Sequence, residues 1–104
     1  MILNLIVFKN VAIQAYTTPN FIDQEPEIAA KQLERSIVLN FGKRETEVYQ
    51  NLDMYFIGTF DDESGKFDIV EPKFLFSPRE LMIQIATKRA QALGEEKKEE
   101  VPAV

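Results

Sequence analysis

The chain has 104 residues, 45% of them hydrophobic, and sets 12 Lys and Arg against 17 Asp and Glu, a formal net charge of -5. It contains no Cys, His or Trp, which removes disulfide scaffolds, thiolate and zinc-ribbon chemistry, and every imidazole-based catalytic device. The length fits one domain, and the acidic balance argues against phosphate neutralisation by the whole surface.

Residues 2–8 are apolar apart from Asn4, and Lys9 ends the run. No basic segment precedes it, and it is far shorter than the roughly 20 residues a membrane helix requires. It reads as a strand buried on both faces, and no membrane segment is expected. In residues 11–16, Val11, Ile13 and Ala15 alternate with Ala12, Gln14 and Tyr16, which predicts a second stretch of strand. Lys9-Asn10 is then either a tight turn or part of one continuous, bulged strand.

Pro19 interrupts any ladder in residues 17–20. A first helix follows, with Pro26 in its first turn and Asp23, Glu25 and Glu27 at its positive end. Ala30, Leu33, Ile37 and Phe41 recur at helical spacing as one apolar stripe. Gly42 stands where a left-handed cap is expected, with Lys43 and Arg44 beside it.

A polar stretch from 45 to 51 leads into a hairpin over 53–70. Residues 54–60 form one strand and 66–70 the other, joined by a turn at Asp61-Asp62-Glu63-Ser64-Gly65. Gly58 inside the first strand predicts a bulge or a close backbone approach. Pro72 and Pro78 bracket a short extended piece, 73–76. Ser77, Pro78 and Glu80 carry the capping signature of a second helix. Leu81, Met82, Ile85, Ala86, Ala90 and Leu93 supply its apolar face, and Gly94 is its expected end. The predicted fold is therefore α+β, a small, mostly antiparallel sheet with two amphipathic helices. Residues 1–94 form the domain and 95–104 a charged tail, either mobile or a frayed extension of the second helix.

Candidate chemistry is sparse. A calcium loop starting at Asp61 or Asp62 would need its bidentate Glu where Pro72 or Lys73 stands, so the acidic cluster reads as turn-building. Without an imidazole base, a Ser-x-x-Lys spacing or a Gly-rich phosphate loop, no catalytic residue, metal or cofactor is expected. The charge is unevenly distributed. Residues 45–76 carry two cations and eight anions, whereas 1–44 and 77–94 are net positive by one and two.

Those flanking segments contain the candidate nucleic-acid contacts Lys31, Arg35, Lys43, Arg44, Lys88 and Arg89. Tyr16, Phe21, Tyr49 and Tyr55 are candidate base-stacking groups, and most of the Phe residues are expected in the core. The same cations also read as solvated helix faces with dipole-matched ends. A self-complementary dimer is the other expectation. The first strand needs cover on both faces, and two helices can cover only one. Self-association through the sheet or the second helix would supply the rest.

The stretch Asp53-Met54-Tyr55-Phe56-Ile57-Gly58-Thr59-Phe60-Asp61-Asp62-Glu63-Ser64-Gly65-Lys66-Phe67, followed by Glu71-Pro72, resembles a recurring hairpin. It is that of the small nonstructural protein of gokushovirus-type Microviridae, single-stranded DNA phages. Pro19, Phe21, Ala30 and Arg35 follow the upstream order of that family. Ser64 and Phe56 replace its usual Thr and Leu, and the second helix is an addition. The resemblance implies a non-catalytic DNA-binding accessory protein made in the host bacterial cytoplasm. Its ligand would be single-stranded DNA during genome replication or packaging. The alternative is an acidic homo-oligomeric adaptor for a viral or host replication protein.

Overall fold

The computed structural model describes residues 1–100, with side chains described up to residue 94. In chain order the elements are β1 (Ile2–Asn10), β2 (Ala15–Tyr16), β3 (Asn20–Ile22), α1 (Pro26–Asn40), a 3-10 helix (Arg44–Tyr49), β4 (Leu52–Asp61), β5 (Lys66–Phe76) and α2 (Pro78–Glu100). The strands form one curled antiparallel sheet in the order β2-β1-β4-β5, and β3 also pairs with β1. This is the expected α+β architecture.

β2 and β3 act as one broken strand along the same edge of β1. β2 pairs with its C-terminal end (Lys9 opposite Tyr16) and β3 with its N-terminal half (Leu5 opposite Phe21). Pro19, which has no N–H to donate, sits at the break. Thr17 bridges the gap, its N–H donating to the Phe8 carbonyl at 2.8 Å and its hydroxyl accepting from the Phe8 N–H at 3.0 Å. The reversal lies at 11–14, not at Lys9-Asn10, and β1 runs through both of those residues. The Asn10 side chain stabilises the turn by accepting from the N–H groups of Ala12 and Ile13. Gln14 takes the positive φ of 55° that completes it. The alternation of Val11 and Ile13 therefore belongs to a turn, because Asn10 offers the backbone a closer partner than a ladder would.

β1 and β4 are paired over their whole lengths, from Ile2 opposite Asp61 to Asn10 opposite Leu52. The register slips where Leu5 meets Gly58 and Ile6 meets Phe56, which is the bulge expected at Gly58. The reason for glycine is geometric. Its φ is 143°, and a Cβ there would lie 2.1 Å from the Asp68 carbonyl oxygen on β5. β5 is longer than expected and absorbs the extended piece 73–76. Pro72 and two register slips along β5 break up the hydrogen-bonding pattern of this edge strand, which blunts it against pairing with other chains.

Directly opposed residues share a face of the sheet, so the pairings sort the side chains into two layers. Ile6, Phe8, Met54 and Phe56 face the helices, where they form the core with Ala29, Ala30 and Leu33 of α1. Leu5, Val7, Tyr55, Gly58 and Phe60 point to the opposite face, joined by Tyr16, Phe21, Phe67, Ile69 and Phe74 of the flanking strands. Neither helix covers that second layer. Leu5, Ile6 and Val7 are nonetheless all buried, at 1%, 2% and 3% exposure. The curl of the sheet folds the flanking aromatic side chains over Leu5 and Val7.

α1 begins at Pro26, as its fixed φ favours, and buries Pro26, Ala30 and Ile37. Phe41 falls just past its end, and Gly42 follows at φ 91°, the left-handed geometry expected there. The polar stretch that follows contains the 3-10 helix. α2 is capped by Ser77, whose Oγ accepts from the Glu80 N–H at 3.1 Å. The same hydroxyl donates to the buried Asp53 carboxylate at 2.5 Å, fastening the start of α2 to β4.

α2 does not end at Gly94 but runs to Glu100. It therefore takes in much of the segment expected to be a tail, while residues 101–104 lie outside the described residues. At 1.5 Å per residue its 23 residues span about 35 Å. From Ala86 to Leu93 every side chain is exposed. The chain measures 75 × 26 × 22 Å with a radius of gyration of 18.5 Å, against roughly 13 Å for a compact chain of this length.

Candidate nucleic-acid interface

The six cations singled out in the sequence all lie on the helical side. Lys31 and Arg35 are exposed one turn apart on α1, away from its buried positions. Lys43 follows Gly42 in the link to the 3-10 helix, which begins at Arg44. Its ammonium donates to the Asn40 side chain at 3.2 Å. Arg89 of α2 lies with its guanidinium 4.7 Å from the centre of the Phe41 ring. That contact brings Lys88 and Arg89 to the end of α1 occupied by Lys43 and Arg44. Lys31 is about 15 Å further back along α1 from Phe41, at 1.5 Å per residue. Lys43, Arg44, Lys88 and Arg89 thus lie toward one end of α1, with Lys31 and Arg35 further back on its exposed side, and the exposed carboxylates Glu34, Glu45 and Glu47 fall among them in sequence.

None of these six cations forms an ion pair among the described residues. The ion pairs are made by other groups: Lys73 with Glu27 at 3.6 Å, Arg79 with Asp53 at 3.6 Å and with Glu80 at 3.9 Å, and the N-terminal ammonium with Asp62 at 2.9 Å and Glu63 at 3.5 Å. The two functions of charge are thus separated. Lys73 ties β5 to α1 and Arg79 braces the buried Asp53, whereas the six helical-side cations are exposed and outside the ion pairs of the described residues.

The acidic turn acts on the fold. Asp61 accepts from the N–H groups of Glu63 at 2.9 Å and Ser64 at 3.4 Å. The Glu63 N–H holds its carboxyl below the usual carboxylate range. Asp62 receives the Met1 ammonium, and this hydrogen bond raises the pKa of the amino group. Among the described residues no three carboxylates come together as metal ligands do, and no helix is long and apolar enough to cross a membrane.

The candidate stacking groups divide between the two layers. Tyr49 packs against Phe8 on the helical side, ring centres 5.9 Å apart. Tyr16, Tyr55 and Phe21 lie on the open sheet face. There Tyr16 meets Tyr55 at 6.0 Å and Tyr55 meets Phe74 at 5.8 Å, both edge to face. A second row joins Phe21 to Phe60 at 5.5 Å and Phe60 to Phe67 at 4.6 Å. Between the rows runs a groove of about 340 Å³ lined by Val7, Ile57, Ile69 and Val70.

The expectation that most Phe side chains build the core is corrected here, since Phe21, Phe60, Phe67 and Phe74 all belong to the open face. The missed signal is the period-two spacing of Phe67 and Ile69 opposite Phe60 and Gly58, which puts all four on one side. Buried Asp53 and Ser77 and half-buried Arg79 form a polar cluster that sequence reasoning also passed over, because 24 residues separate Asp53 from Ser77.

No family model, curated protein or solved structure matches the chain.

Proposed function

We propose that the chain is a non-catalytic accessory protein that binds single-stranded DNA through its phosphate backbone. Lys31, Arg35, Lys43, Arg44, Lys88 and Arg89 form the contact surface. The observation carrying this reading is that these six cations are unpaired among the described residues, while the ion pairs are made by other groups. Free cations release counterions from a polyanion without first breaking an internal ion pair. The resemblance of the hairpin to the nonstructural protein of single-stranded DNA phages supports the same ligand, and with it work in the cytoplasm of a bacterial host.

The mechanism is electrostatic and does not read sequence. If all six cations meet phosphates, log K falls with log salt at a slope of about -4 for a single strand. The interleaved Glu34, Glu45 and Glu47 hold affinity to the modest range of non-specific binding. Fluorescence anisotropy with a labelled oligonucleotide tests this. Binding at low salt should weaken steeply as salt rises, and the double substitution K31E/R35E should flatten the slope. A salt-independent signal, or no binding at low salt, rejects the proposal.

A second reading is an acidic adaptor for a viral or host replication protein. It is favoured by the net charge of -5. Capture of a replication protein that survives nuclease treatment, together with absent oligonucleotide binding, selects it.

A further inference from the structure

The open face of the sheet is the largest feature that this function leaves unused. Its outermost side chains are Tyr16, Phe21, Phe67, Ile69, Val70 and Phe74, between 45% and 59% exposed. We propose that this face is buried against the same face of a second copy of the chain, so that two curled sheets close into a sandwich with the aromatic rows inside. The occupant is a second copy for three reasons, drawn from area, charge and the position of the cations.

Aromatic side chains carry about 150–250 Å² each, so at half exposure these four rings and two aliphatic side chains leave roughly 550 Å² of apolar surface. That is near the upper end of what one monomer leaves bare, about 300–600 Å². Joined face to face, two copies remove about 1,100 Å² from the six residues alone, which clears the roughly 1,000 Å² minimum of a biological interface. Packed sheets lie about 10 Å apart, close enough for rings on facing sheets to interdigitate.

The charge is complementary in the only way a self-contact can be, by being nearly absent. Of the strand carboxylates, Asp53 shares the parity of this face, and it is 8% exposed and occupied by Ser77 and Arg79. Asp61 pairs with Ile2, and Asp68 with Thr59, which pairs with Asn4, so both lie on the opposite face. Glu71, two residues beyond Ile69 on the edge strand β5, is the one remaining strand carboxylate and has no ladder partner. Apart from Glu71, the strand carboxylates are therefore not brought together when two copies meet.

A nucleic-acid occupant would need cations at the rim to hold phosphates beside the stacked bases. Among the described strand residues, Lys9 is the one cation whose position puts it on this face. Its ammonium sits 5.7 Å from the ring centre of its own Tyr16. The six candidate phosphate contacts are all on the helical side, away from the rings.

Sedimentation velocity of the full chain across a wide concentration range tests the proposal. A dimer that persists in high salt is expected. F67E and F74E should each weaken it by about thirtyfold or more, as for a central interface residue. Circular dichroism should stay native, since both side chains are already half exposed. L39E, on the solvent side of α1 at 74% exposure, should leave the dimer intact. A wild-type chain that stays monomeric at high concentration overturns the proposal. So does a dimer indifferent to F67E and F74E, whose interface lies elsewhere. Dissociation of the dimer by an oligonucleotide that protects the sheet rings also overturns it, and gives the face to nucleic acid.

Discussion

Single residues hold this fold at two points, Gly58 in β4 and Asp61 at the hairpin turn. Gly58 combines a φ of 143° with a carbonyl oxygen 2.1 Å from where its Cβ would stand. The strained backbone alone costs about 1–3 kcal/mol for a side-chain-bearing residue, and the clash adds to it. Gly58→Ala should therefore lower stability to urea by at least that range. An unchanged midpoint would mean that β4 and β5 separate more easily than their pairing implies. Asp61 fastens the hairpin turn, and its folded pKa is depressed by the Glu63 N–H. A depressed acid contributes stability that is present above its ordinary value, about pH 4. That contribution disappears as pH falls through the lower folded value. D61A should remove this part of the acid dependence. A mutant whose acid melting profile parallels the parent's would show that the turn is held by other groups.

Elements are positioned by contacts that the sequence announces only in part. The capping signature at Ser77 correctly marks the start of α2, yet its hydroxyl also satisfies Asp53 across 24 residues. Loss of an N-cap costs about 1 kcal/mol and an unsatisfied buried group a further 1–3 kcal/mol. Ser77→Ala should thus destabilise the chain by about 2–4 kcal/mol, measured by denaturant titration, whereas Ser77→Thr, which keeps the hydroxyl, should retain most of the stability. α2 continues past its expected end for a related reason. Gly94 is a frequent helix terminator, but the residues after it, Glu95 to Glu100, are strong helix formers, and a single glycine costs only about 1 kcal/mol. The turn after β1 was misplaced because alternation in a six-residue window counts for less than one Asn side chain accepting two backbone N–H groups.

At the scale of the whole molecule, charge and apolar surface are segregated. The helical side carries the unpaired cations, the hairpin turn carries acid bound up in local hydrogen bonds, and the open sheet face carries rings. The two proposals therefore depend on different faces and should be separable. Substitutions K31E and R35E should weaken oligonucleotide binding and leave self-association intact, whereas F67E should do the reverse at low protein concentration. If one set of variants abolished both properties, a single surface would be serving both.

The sequence by itself determined the elements that rest on local chemistry: the amphipathic stripe of α1, the hairpin with its glycine bulge, the cap of α2, and the exclusion of thiol and imidazole chemistry. It also located Lys31, Arg35, Lys88 and Arg89 on the helices, since charge at helical spacing away from an apolar stripe has to face solvent. Only the tertiary structure decided which face of the sheet the helices cover. β1 and β4 are apolar on both sides, so their own sequences cannot say which side is the core. That choice depends on the direction in which α1 returns across the sheet. It left Phe60, Phe67 and Phe74, expected in the core, on the bare side beside Phe21, and so opened that face to a partner.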